Sequence, residues 1–243
     1  MAARANAALL AELRARFAAH ADPARAAPMQ AYMKSALPFF GIAAPLRRQL
    51  MAQAVRTHPC ASAGELAATM RTLWRQAQRR EERYAAMELA RVGRHRALLT
   101  PALLPLYEEM IVSGAWWDIC DDISGTALAE LLRREPAALK PVLRRWAHGD
   151  AMWLRRAAML SQRRLAAPHF DAALLYETLE ASLDDARFSG EFFIRKAIGW
   201  ALRERSYSAP QEVQDWCRTH AARLAPLTVR EALKAIRRQR PAA

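Results

Sequence analysis

Glycine is scarce in this chain, with 8 in 243 residues. Phosphate-cradling loops need several glycines close together, and neither a GxGxxG nor a P-loop pattern occurs. Cysteine is scarcer still: Cys60, Cys120 and Cys217 are odd in number and far apart. That argues against a disulfide framework and for a reducing compartment. No HExxH or CxxC occurs, and His20, His58, His95, His148, His169 and His220 show no metal-ligand spacing. No metal or nucleotide cofactor is therefore implied, and no Ser/His pair is assigned by spacing. No apolar run approaches the roughly 18 to 20 residues that span a bilayer. The stretch "MAARANAALLAELRARFAAH" lacks a continuous apolar segment. Its 3.6-residue pattern and Glu12 fit a first helix better than a secretory or transit signal. No Pro/Gly/Ser-rich linker divides the chain, so residues 1–243 read as one domain.

Lysine is nearly absent too. Of 37 Lys plus Arg, only Lys34, Lys140, Lys196 and Lys234 are lysine, against 24 Asp plus Glu, for a net charge of +13. A guanidinium binds phosphate as a bidentate fork, so an arginine surplus suits a polyanion. Base composition of the coding DNA can favour arginine over lysine, but it does not set the charge balance. Apolar residues make up 53%, enough for a sizeable core, and abundant alanine and leucine favour helix.

The helices repeat. "LRRQLMAQ" from Leu46, "ERYAAMEL" from Glu82, "DICDDISG" from Asp118, "LRRAAMLS" from Leu154, "IRKAIGWA" from Ile194 and "VREALKAI" from Val229 align without gaps at offsets of 36, 36, 36, 40 and 35 residues. That period fits a helix pair with its turns, as in HEAT-type solenoids. The spacing predicts six helix pairs whose second helices begin near Pro45, Glu81, Trp117, Trp153, Phe193 and Thr228. With those residues as position zero, positions one, five and eight form a mostly apolar stripe, imperfect in the third unit. Positions zero, three, four, seven, ten and eleven form a second face, expected to line a concave wall.

On that second face, position four is Ala85, Ala157, Ala197 and Ala232 in four units, but Asp121 in the third. Trp117 stands one turn earlier. Arg156 occupies position three, Trp200 position seven, and Arg91, Arg163, Arg203 and Arg238 position ten. One carboxylate thus sits among arginines and tryptophans, inside "GAWWDICDDISG" (114–125). The residues alone leave Asp121 open as a functional acid or as half of a structural ion pair. They leave the arginines open as phosphate ligands or as an inter-repeat ladder. Trp74, Trp116 and Trp146 are expected in the core, with Trp153 core or cleft. Asp118 suits a helix N-terminus, and Asp122 a solvated surface.

Four segments, "MQAYMKSALPFFGIAAPLRRQL" (29–50), "WWDICDDI" (116–123), "MWLRRAAMLSQ" (152–162) and "EFFIRKAIGWALRE" (191–204), resemble the AlkD-type DNA glycosylases, the HEAT-like-repeat DNA alkylation repair enzymes. The resemblance runs from about residue 5 to 240. It implies an all-α superhelical solenoid with a basic concave groove that binds duplex DNA. It implies monofunctional excision of cationic N3- and N7-alkylpurines, such as 7-methylguanine and 3-methyladenine, without a base-flipping pocket. By the same resemblance Asp121, Trp117 and Trp200 are the catalytic residues, and Arg156, Arg203 and Tyr32 contact DNA. The implied enzyme is a monomer of the bacterial cytosol, with neither cofactor nor membrane partner.

The residue types suit that chemistry. A cationic alkylpurine leaves as a neutral base, so no general acid is needed, and positive charge moves onto the deoxyribose. A fixed carboxylate and aromatic faces stabilise such a cation. A non-enzymatic solenoid binding nucleic acid or an acidic partner is the alternative, and it gains nothing from an aspartate in the alanine column.

Overall fold

The computed structural model describes residues 3–239 and contains helices and turns, with no strand among the described residues. The described residues form two compact units, within Met1–Met110 and Ile111–Ala243.

The first unit holds α1 (Ala7–Ala19), α2 (Pro23–Met33), α3 (Ala44–Thr57), α4 (Ala63–Arg75) and α5 (Arg80–Glu88). Three of these helices start where a side chain satisfies free N–H groups of the first turn. Asn6 caps α1, Asp22 caps α2 and Ser62 caps α4. Leu9, Leu13, Phe17, Leu66, Met70 and Leu73 fill the core. Buried acids tie loops to helices. Glu81, fully buried, accepts from the N–H groups of Phe40, Gly41 and Ile42 at 2.9, 2.9 and 3.1 Å. Gly41 has φ +88°, and a Cβ there would lie 2.1 Å from the Asp22 carbonyl oxygen, so only glycine fits this loop.

The chain continues through α6 (Leu104–Gly114). The second unit is built from α7 (Trp117–Ile123), α8 (Ala129–Arg134), α9 (Pro136–His148), α10 (Met152–Leu160), α11 (Ala172–Leu183), α12 (Ala186–Ser189), α13 (Phe192–Ser206), α14 (Pro210–Thr219), α15 (Pro226–Ala232) and α16 (Lys234–Gln239). The six helices expected as second members of pairs are α3, α5, α7, α10, α13 and α15. Each starts within two residues of its expected position. Proline stands in the first turn of α3, α9, α14 and α15, where its missing N–H costs nothing.

Within the second unit, α7, α10, α13 and α15 pack side by side in that order. Ile194, Ile198 and Ala201, at positions one, five and eight of their repeat, are buried as the apolar stripe requires, with Leu160, Leu179, Val213 and Trp216 against them. Trp74 and Trp146 are core residues at 2% and 1% exposure. Trp116 is half-buried and meets Trp153 in a tilted contact and Phe193 edge-to-face, with ring centroids 6.4 and 5.6 Å away. The three cysteines are buried and free. Among the described residues, no helix is long and apolar enough to cross a membrane.

Candidate active site

The alanine column corrects the sequence-based picture. Ala157, Ala197 and Ala232 are fully buried instead of lining an open wall. In the units from Glu81, Trp153, Phe193 and Thr228 position four carries alanine and is packed inside, whereas Gln49 at the same position of the first unit is exposed. Asp121 takes this position in α7 and is only 8% exposed. A carboxylate at a packing seam loses hydration and must find a partner.

The partner is Arg156, at position three of α10. Its Nε donates to Asp121 Oδ1 at 2.8 Å and its Nη2 donates to Oδ2 at 2.7 Å. Its Nη1 donates to the carbonyl of Phe193 at 2.6 Å. The guanidinium is thus fixed on both sides, and its fork sets the plane of the Asp121 carboxylate. Each carboxylate oxygen keeps a second lone pair, which is what chemistry at this site can use. At 4% exposure, Arg156 is occupied as the holder of Asp121.

Asp121 opens onto a cleft of about 400 Å³, walled by the rings of Trp117, Phe192, Phe193 and Trp200. Trp117 is the first residue of α7, after Trp116 in extended conformation, and Asp121 follows one turn later on the same face. Trp200 comes from the middle of α13. Its Nε1–H donates to Glu204 at 3.0 Å, and the Arg163 guanidinium lies 3.9 Å from its ring centroid. Arg163 reaches the ring by passing Gly125, where a Cβ would lie 2.6 Å from its Nη2. Gly125 sits in a π-helical turn, Ser124–Leu128, that joins α7 to α8. Burial pulls the Arg163 guanidinium below the usual arginine range, and the charge of Asp121 opposes that shift.

The structure therefore brings together five of the six residues singled out in the sequence: Asp121, Trp117, Trp200, Arg156 and Arg203 line this one cleft. Tyr32 lies in the other unit, 74% exposed on α2. Arg203 pairs with Glu231 at 2.9 Å. The cleft also contains residues that sequence reasoning missed, namely Lys196, Glu231 and Lys234. The signal was available: Lys196 and Glu231 occupy position three of their repeats, the position of Arg156. Among the described residues no group of three His, Cys, Asp or Glu could hold a metal ion.

Comparison with known proteins bears on this geometry. A family model described as DNA alkylation repair enzyme matches residues 13–236. Among solved structures, one described as a predicted DNA alkylation repair enzyme from Enterococcus faecalis is similar, at 30% identity and a TM-score of 0.70. The match covers 88% of this chain and 95% of that one. No curated protein matches. The family model spans nearly the whole chain, and the solved relative shares its all-helical fold: the chain belongs to the DNA alkylation repair enzyme family.

Proposed function

We propose that this chain is a monofunctional DNA glycosylase that hydrolyses the N-glycosidic bond of cationic N3- and N7-alkylpurines, 7-methylguanine and 3-methyladenine among them, in duplex DNA. The observation that carries this reading is Asp121: a carboxylate in a column of alanines, oriented by a bidentate arginine and bordering a cleft walled by Trp117 and Trp200. A site that only binds phosphate gains no affinity from such an acid.

In this reading the electron pair of the C1′–N bond moves into the purine and cancels its positive charge. The base leaves neutral and needs no acid. The sugar is left as an oxocarbenium-like cation. The free lone pairs of Asp121 face that charge, and the indole faces of Trp117 and Trp200 add cation–π attraction of about 0.5 to 2 kcal/mol each. Water then adds its oxygen to C1′, and its proton passes to Asp121 or to solvent. Arg156 keeps the carboxylate from rotating. Arg203, with Lys196 and Lys234, supplies positive charge for backbone phosphates, which positions the duplex without reading sequence. The enzyme would act as a monomer in the bacterial cytosol and would need no pocket for the excised base.

The test is chromatographic detection of free 7-methylguanine and 3-methyladenine after single-turnover incubation with methylated duplex DNA. Base release by the wild type, lost in Asp121→Asn, is expected. A wild type that binds the duplex but releases no base would overturn the glycosylase reading and leave a nucleic-acid-binding solenoid.

A further inference from the structure

The second carboxylate of the cleft, Glu231, is seated as deliberately as the first. Gly199 of α13 faces α15, and a Cβ at Gly199 would lie 2.7 Å from the Cβ of Glu231 and 2.8 Å from the carbonyl oxygen of Thr228. Glycine alone permits this approach, so α15 closes onto α13 with the root of Glu231 over the gap. Lys196 lies three residues before Gly199 and Arg203 four after, on the same face of α13. Glu231 falls between them. Its Oε1 accepts from Lys196 Nζ at 3.0 Å, and its Oε2 accepts from Arg203 Nη1 at 2.9 Å. The Glu231 side chain is 13% exposed, against 36% for Lys196 and 21% for Arg203. The Lys196 hydrogen bond, ahead of the charges of Lys196, Arg203 and Lys234, holds the Glu231 carboxyl below its usual range, so it is anionic at neutral pH.

Two of the cations that border the cleft are therefore already engaged by an internal anion. Carboxylate and phosphate oxygens accept the same N–H donors, so they compete for them. We propose that Glu231 is a built-in counter-ion that occupies Lys196 and Arg203 in the absence of DNA and is displaced by backbone phosphate. It thereby keeps the hold on undamaged duplex weak. The inference rests on the DNA-binding part of the proposed function. A repair enzyme must leave undamaged sites, and weakening the phosphate clamp favours release without touching the contacts that discriminate the lesion.

The test uses the full chain and Glu231→Gln, which keeps the shape of the side chain and its place above Gly199 while removing the charge. One arm titrates inorganic pyrophosphate by calorimetry; the other measures anisotropy of an undamaged duplex across a salt series. Removing the internal anion should steepen the slope of log affinity against log salt by about 0.9, so that, with the two proteins equal at 1 M salt, duplex binding tightens about eightfold at 0.1 M. Pyrophosphate should bind more tightly as well. A merely structural Glu231 gives the opposite pattern, a lower melting temperature with binding weakened or unchanged, and that result overturns the proposal. If Glu231→Gln does not fold, the carboxyl ¹³C resonance of Glu231 in the wild type replaces it. That resonance should shift as pyrophosphate saturates, and a static resonance at saturation overturns the proposal. If pyrophosphate binding tightens but the wild type binds no duplex, the DNA reading fails and the counter-ion stands. If the wild type binds duplex and neither arm tightens, the counter-ion fails and the DNA reading stands.

Discussion

Replacing Asp121 with asparagine separates what the carboxylate does for the fold from what it does for chemistry. The side chains of Asp121 and Arg156 are 11% and 5% exposed, so their fork is shielded from solvent and from salt. The amide oxygen of asparagine can still accept one of the two hydrogen bonds, at 2.8 or 2.7 Å in the wild type. The amide nitrogen then confronts an N–H donor, and the guanidinium is left buried with no anion. Breaking a buried pair from one side costs about 3 to 5 kcal/mol, and the retained hydrogen bond returns about 1, so a loss of roughly 2 to 4 kcal/mol is expected. At about 2 to 4 °C per kcal/mol for a chain of this size, the melting temperature should fall by about 5 to 15 °C. The rate of base release should fall further than stability explains. Losing one preorganised electrostatic group costs about 100- to 1000-fold in rate. Duplex affinity should be retained, because a negative charge has been removed near phosphate. The measurements are single-turnover release of 7-methylguanine below the melting range, a thermal melt and a binding titration on the same protein. Release at the wild-type rate would refute the catalytic reasoning, and an unchanged melting temperature would refute the buried fork.

Arg156→Lys keeps the charge but loses the two-pronged hold, so base release should fall by about tenfold or more while the salt slope of binding is unchanged; a wild-type rate would show that orientation of Asp121 does not depend on the fork. Trp200→Ala should slow release about 2- to 30-fold, the range equivalent to one cation–π contact, as read by the same single-turnover assay. If only affinity changes, the ring binds DNA and does not stabilise the sugar. Stability should also depend on acid in a defined window. The hydrogen bond from Arg187 holds the Asp185 carboxyl down to about 2, from 3.8. Its contribution is therefore present above pH 3.8 and lost as pH falls toward about 2. The melting-temperature gap between wild type and Asp185→Asn should be open at pH 5 and close by about pH 2; a constant gap would sink the assignment.

How legible was the site in the sequence? The starts of α3, α5, α7, α10, α13 and α15 follow from a register of small and apolar residues, because helical periodicity is a local property of the chain. That register also places Trp117 and Asp121 on one face, since residues four apart on a helix lie one above the other. The same logic misjudged position four, expected on an open wall and found buried in Ala157, Ala197 and Ala232. Periodicity gives the direction in which a side chain leaves its own helix, but not how near the next helix stands. Partners across helices were hidden for the same reason. Asp121 and Arg156 are 35 residues apart, and so are Lys196 and Glu231, a separation at which no local rule selects one arginine or one acid from many. Helix packing made those selections. The approach of α10 to α7 joined Arg156 to Asp121, and the missing Cβ of Gly199 brought Glu231 between Lys196 and Arg203. The sequence by itself determined which residues carry the charge and the aromatic faces and along which helix they lie. The distances between helices, which decide what each charge is paired with and what remains free to act, were decided only by the tertiary structure.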